Sequence, residues 1–183
     1  MKQIALFVGR SGSGKTTVAN YLSQHYGLTQ VESYTTRQPR YRGEHGHVFV
    51  SDEEFNRLSN FVAYTEFDGN RYAATTEQIQ QNDIYVIDVD GVEYFKEVYR
   101  GDKTPVIFLF CVAEDERRRR MLTRGDSPES VDQRIRNDNV MFRDSVDRLS
   151  HVGTVRLIQN SDVAQAAKEV LEALKEGSDY DEN

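Results

Sequence analysis

With 183 residues, 38% of them apolar and 29% charged, the chain has room for one hydrophobic core and small excursions from it. Its net charge of −7 excludes a general nucleic-acid-binding surface, and no apolar run approaches the roughly 18 residues that a membrane-spanning helix needs. A single cysteine, Cys111, excludes a disulfide within the chain and fits a reducing, cytoplasmic setting, where an inert core thiol is expected.

Ile4–Val8 is a short apolar run that reads as a buried first strand, ending at Gly9. A glycine- and serine-rich loop follows, then a helix over Lys15–Tyr26 that gathers Val18, Tyr21 and Leu22 on one face and stops at Gly27. Ile84–Ile87 and Val106–Phe110 are apolar without alternation, the pattern of strands covered on both faces. Helices are predicted over Gly91–Tyr99, Ala113–Thr123, about 128–149 and Val163–Lys175, with a further short strand at Val155–Ile158. This alternation implies an α/β fold with a parallel sheet of about five strands flanked by helices.

Residues 33–83 break the rhythm. They are polar and rich in Arg, Gly and Tyr, with strand candidates at Val48–Val50, Phe61–Phe67 and Arg71–Thr75. Ser51 and Glu54 have the spacing of a capping box at a helix start. The expected organisation is one domain over 1–176, with a core from 1–32 and 84–176 and an inserted subdomain at 33–83. An acidic flexible tail is expected at 177–183, since 176–183 holds four acids and no base.

Gly9-Arg10-Ser11-Gly12-Ser13-Gly14-Lys15-Thr16 fits the spacing G-x-x-x-x-G-K-[ST] between a strand and a helix, the context of a phosphate loop. The glycines let the backbone turn N–H groups, those of Ser11 and Ser13 among them, toward a phosphate. The helix start at Lys15, Thr16 and Thr17 adds its positive dipole end. Lys15 suits the β- and γ-phosphates of ATP, and the Thr16 hydroxyl suits Mg²⁺. Asp88 leaves the C-terminal end of a buried strand and faces the ligand crevice, where it can serve the metal or the acceptor. Asp90 either shares that role or caps a helix before Gly91.

A second segment, Ser33-Tyr34-Thr35-Thr36-Arg37-Gln38-Pro39-Arg40 with Gly43-Glu44 and Gly46, resembles the acceptor-binding region of guanylate kinases. Gly69-Asn70-Arg71-Tyr72, Ile87-Asp88-Val89-Asp90-Gly91-Val92 and Arg120…Arg124-Gly125 followed by Arg134 extend the resemblance over nearly the whole chain. It implies a three-layer P-loop NTPase fold with an acceptor subdomain and a lid near 124–134. It also implies phosphoryl transfer from ATP·Mg to a nucleoside monophosphate, GMP or dGMP giving GDP or dGDP with ADP. Ser33, Arg37, Arg40 and Tyr72 would hold the acceptor phosphate, a grip that two arginines and nearby hydroxyls suit. Arg124 and Arg134 would close over the transferring group. Arg120, and Asn160 after the last strand, would lie near adenine. Arg117, Arg118 and Arg119 point to different helical faces and are expected to be solvated or paired with Glu114 and Asp115.

The sequence departs from the family where the base is chosen. Ala63 and Ala74 stand at the positions of a carboxylate and a hydroxyl, and His47 at that of a tyrosine, while the lid is one residue shorter. Glu66, offset by three residues, faces the other side of a regular strand. Two other functions fit the same residues: a kinase of another phosphorylated acceptor, such as a sugar phosphate, and a non-catalytic module that recognises phosphorylated partners. The partners expected are small nucleotides, with a monomer or a homodimer equally compatible.

Overall fold

The computed structural model describes residues 2–39, 42–67 and 69–178; Arg40, expected in the acceptor clamp, and 179–183 of the expected tail lie outside the described residues. β1 (Gln3–Gly9) is buried along its whole length. It lies between β6 (Ile84–Val86) and β7 (Thr104–Cys111), with β8 (Val155–Gln159) outside β7, and all these pairings are parallel. The sheet therefore has four strands; at the place of a fifth, Gln30 makes a single parallel bridge to Ile84.

The unbroken apolar runs are explained by two separate cores. Ile4, Leu6, Val8, Ile107 and Leu109 face one side of the sheet, and Ala5, Phe7, Phe108 and Phe110 face the other. On the second side they meet Val18, Ala19 and Leu22 of α1 (Lys15–Tyr26) and Ala166, Ala167, Val170 and Leu174 of α8 (Val163–Ser178). Both faces must be apolar, so alternation disappears.

Residues 33–75 build a second sheet, ordered β3 (His47–Phe49), β2 (Ser33–Thr35), β5 (Asn70–Thr75), β4 (Phe61–Phe67). β2 pairs with β3 in parallel, and the other pairings are antiparallel. The short α2 (Asp52–Phe55) carries the capping box that Ser51 and Glu54 predict, with both reciprocal hydrogen bonds formed. α3 (Thr76–Gln81) returns the chain to the first sheet. Val62, Ala63, Ala74 and Ile79 are buried in the same core as Leu6, Val8 and Val92.

Two expected helices and one residue differ from the sequence expectation. α4 (Val89–Val98) starts two residues before the expected Gly91, and its cap is Asp88, whose Oδ1 accepts the Gly91 N–H at 2.7 Å. Asp90 therefore stands in the first turn of the helix, where it pairs with Arg148 at 2.6 Å. The helix expected over 128–149 is two helices, α6 (Pro128–Met141) and α7 (Ser145–Ser150), separated by a left-handed Asp144. The break lets Phe142 and Leu149 reach one core. Cys111 is only half-buried; even so, burial pushes its thiol up, against the pull of Arg10, so it stays protonated and inert.

α1 ends where Gly27, at φ 72°, gives its N–H to the Ser23 carbonyl. A Cβ there meets no atom within 4 Å, so the cost of a side chain is purely conformational. Gly27→Ala is expected to lower stability by about 1 kcal/mol in urea unfolding without changing its slope, because only the left-handed backbone opposes the methyl.

Candidate active site at the phosphate loop

The loop between β1 and α1 is moulded against α5 (Glu114–Thr123). Gly12 has φ 75°, and a Cβ on it would stand 2.7 Å from the Arg117 carbonyl oxygen. No other residue fits that approach. Arg117 is 2% exposed. Its guanidinium pairs with Asp138 of α6 at 3.0 Å and donates to the Ser11 carbonyl at 3.3 Å. It also stands 3.7 Å from Glu114, so of the two expected states, solvated or paired with Glu114, Arg117 takes the paired one, but buried. Arg118 pairs with Asp132 and Arg119 with Glu116, rather than with Glu114 or Asp115.

Two cavities open on either side of the loop. One, of 600 Å³, is bordered by Ser11, Gly12, Gly14, Lys15, Thr16 and Thr17 of the loop and helix start. Arg120, Arg124, Arg134 and Asn160 complete its wall. Arg120 donates to the Asn160 carbonyl at 2.8 Å, and the Asn160 amide donates to the Ser13 carbonyl at 2.8 Å, so both also fasten the loop from behind. Arg124 pairs with Asp126 at 2.6 Å, and Arg134 stands 3.7 Å from the same carboxylate.

The other cavity, of 260 Å³, lies between the two sheets. Gly9, Ser33, His47, Tyr72 and Asp88 border it, together with Ser11, Lys15 and Arg134. The Ser33 hydroxyl and His47 Nδ1 are 2.9 Å apart, and the His47 ring meets Tyr72 edge-on at 5.7 Å. Ala63 borders this cavity directly, and Ala74 is its cross-strand partner. Glu66 is bonded to the Tyr64 hydroxyl and lies out of register with Ala63, on the other face of β4.

Among the described residues, two expected site residues border neither cavity. Ser13 turns its side chain into the protein and gives its N–H to the Arg10 carbonyl at 3.1 Å. Arg37 is held by Glu44 through two hydrogen bonds of 2.9 and 3.2 Å and lies over the Phe49 ring. Its guanidinium is thus neutralised beside the cavity rather than exposed in it.

The electrostatics follow from enclosure. Burial lowers Lys15 to about 8, with Arg124 and Arg134 adding to the effect and the carboxylates of Asp138 and Asp88 opposing it. Burial raises Asp88, against its hydrogen bond from the Gly91 N–H. Burial also pushes the Tyr85 phenol far up, so it is a neutral hydroxyl on the cavity wall. Tyr85, Thr65 and Asp138 are site residues that the sequence reading missed. Asp138 accepts the Ser11 N–H at 2.8 Å and sits where α6 meets the loop.

The chain matches the family model described as "Guanylate kinase" over residues 1–177. Among curated relatives, a guanylate kinase of Bacteroides thetaiotaomicron is 34% identical over 95% of this chain and 89% of its own. One of Porphyromonas gingivalis is 33% identical over 74% of this chain and 79% of its own. In three dimensions the chain resembles the crystal structure of guanylate kinase from Anaplasma phagocytophilum, with a TM-score of 0.61. That likeness covers 96% of this chain and 85% of the other at 21% identity, so it speaks for the fold.

Proposed function

Because this chain belongs to the guanylate kinase family, we propose that its two cavities are the donor and acceptor halves of one phosphoryl-transfer site. It is a nucleoside monophosphate kinase that phosphorylates GMP. The observation that carries the site reading is that Ser11, Lys15 and Arg134 border both cavities. A phosphoryl group passing from one to the other must pass those three residues.

In this reading ATP lies in the larger cavity, with its phosphates on the loop N–H groups and its base toward Arg120 and Asn160. Lys15, Arg124 and Arg134 neutralise charge on the transferring group, which is where preorganised cations lower the barrier most. Burial of Lys15, and after it the repulsion from Arg124 and Arg134, is offset when the polyphosphate arrives. Ser33, His47 and Tyr72 receive the acceptor phosphate, and Arg37 joins them by exchanging Glu44 for the dianion. Asp88 faces the acceptor. The donor set suits a hard cation: Thr16 would hold Mg²⁺ directly and Asp88 through its water shell, and the ion would supply further charge neutralisation at the phosphates. The alternative of a non-catalytic phosphate-recognition module gives no reason for two cations, Lys15 and Arg134, to converge at the junction with Arg124 close by in the larger cavity.

Incubation with ATP·Mg and GMP, with ADP measured by coupled oxidation of a nicotinamide, is expected to show acceptor-dependent ADP formation. ADP released at the same rate with and without acceptor would sink the proposal.

A further inference from the structure

We propose that Asp138, held by Arg117, is a positioning residue for phosphoryl transfer that aligns α6, and with it Arg134, on the phosphate loop. The inference rests on the kinase function proposed above. Asp138 takes the Ser11 N–H at 2.8 Å and the Ser11 hydroxyl at 3.3 Å. From the other side Arg117 reaches both the Asp138 carboxylate, at 3.0 Å, and the Ser11 carbonyl, at 3.3 Å. One loop residue is thus held at its N–H, its hydroxyl and its carbonyl by a single ion pair. The two side chains come from different helices, 21 residues apart in sequence.

The pair is nearly closed to water, with Arg117 2% and Asp138 8% exposed. Burying two charges costs more desolvation than their attraction readily returns, so such a pair is poor evidence for stability. It does fix geometry, because its charge-assisted hydrogen bonds form only in one arrangement of the two side chains and Ser11. What it fixes here matters to the reaction. Asp138 lies one helical turn after Arg134 on the same face of α6, so the two side chains move together when the helix shifts. Arg134 and Ser11 both stand at the junction of the cavities. A displacement of about 1 Å at such a point is enough to cost up to two orders of magnitude in rate.

The test is a double-mutant cycle on kcat with ATP and GMP. Asp138→Asn keeps an oxygen for Ser11 but loses the charge that holds Arg117. It is expected to lower kcat about tenfold, with KM for ATP changed less than about twofold. In an Arg134→Ala background the same replacement should lower the residual kcat by less than about twofold, since the residue through which Asp138 acts is gone. A merely structural role would give the same loss in both backgrounds, and that additivity would overturn the inference, as would an undiminished kcat in Asp138→Asn. Should that variant fail to fold, Arg117→Met combined with Asp138→Leu removes both buried charges together and carries the same cycle with the same two readings. An unmodified protein without ATP-dependent kinase activity would overturn the proposed function itself. An active one with additive losses would overturn only the role of Asp138.

Discussion

Lys15→Ala is expected to lower kcat/KM for ATP by about 10³-fold or more, on the scale of single cationic contributions to phosphoryl transfer. Lys15, like Arg134, is a cation shared by both cavities, and it is drawn out of water to reach that place. With a pKa of about 8 it is still mostly an ammonium at pH 7. The fold should survive the change, because the shape of the loop comes from Gly12 and Gly14 and from the Arg117 contact, not from Lys15. The folded protein holds the Lys15 proton with a pKa of about 8, against 10.5 for an unperturbed lysine. Between those values the unfolded chain binds more protons, so this group makes stability rise with pH across that window and penalises the fold below it. Lys15→Ala removes the penalty, and the melting temperature at pH 7 should be unchanged or higher. A variant that melts lower, or that keeps its turnover, would refute the placement of Lys15 at the transfer point.

The second expected result concerns the base. The acceptor cavity keeps its polar end, where Ser33, His47 and Tyr72 gather, but presents the Ala63 methyl where resemblance calls for a carboxylate. Glu66 does not substitute, since it is bound to Tyr64 on the opposite face of the strand. A wall built to pair with a polar base edge rejects analogues by about 10⁴-fold, whereas an apolar wall discriminates by only about 10–200-fold. The ratio of kcat/KM for GMP to that for AMP, UMP or CMP should therefore stay under about 200. Ala63→Glu with Ala74→Ser should widen it by at least about tenfold, as restored acceptors meet the donors of guanine. A GMP preference of about a thousandfold in the unmodified protein would end this reading and point to His47 or a backbone group as the reader.

The legibility of the sequence was uneven, for physical reasons. The phosphate loop could be read because its function demands particular backbone angles, and only glycine at set spacings supplies them. The parallel strands could be read because burial on both faces leaves a continuous apolar run. The break between α6 and α7 could not: Phe142-Arg143-Asp144 holds no glycine or proline, and the turn is set by the burial of Phe142 and Leu149. Asp90 read equally as a partner of Asp88 in the site or as the cap before Gly91, whereas Asp88 takes the cap and Asp90 turns out to Arg148, because the helix begins two residues earlier with Val89 and Val92 buried. Arg117 left a faint signal, four residues before the fully buried Met121 and so on the same helix face, but its partner on another helix could not be named. Tyr85 was hidden inside an apolar run, although its hydroxyl is a chemical feature of the cavity wall.

The sharing of one core by the two sheets has an evolutionary consequence. Ala63 and Ala74, which stand where the acceptor base would be read, are also almost fully enclosed among the residues that join the second sheet to the first. Exchanging a carboxylate for a methyl there removes a desolvated charge in a single step. The reverse step must first place an ionised group among apolar neighbours and can persist only if the nucleotide, or a compensating change nearby, offsets that cost. Relaxing the choice of base is accessible to single substitutions, whereas regaining strict choice requires a reserve of stability elsewhere in the fold.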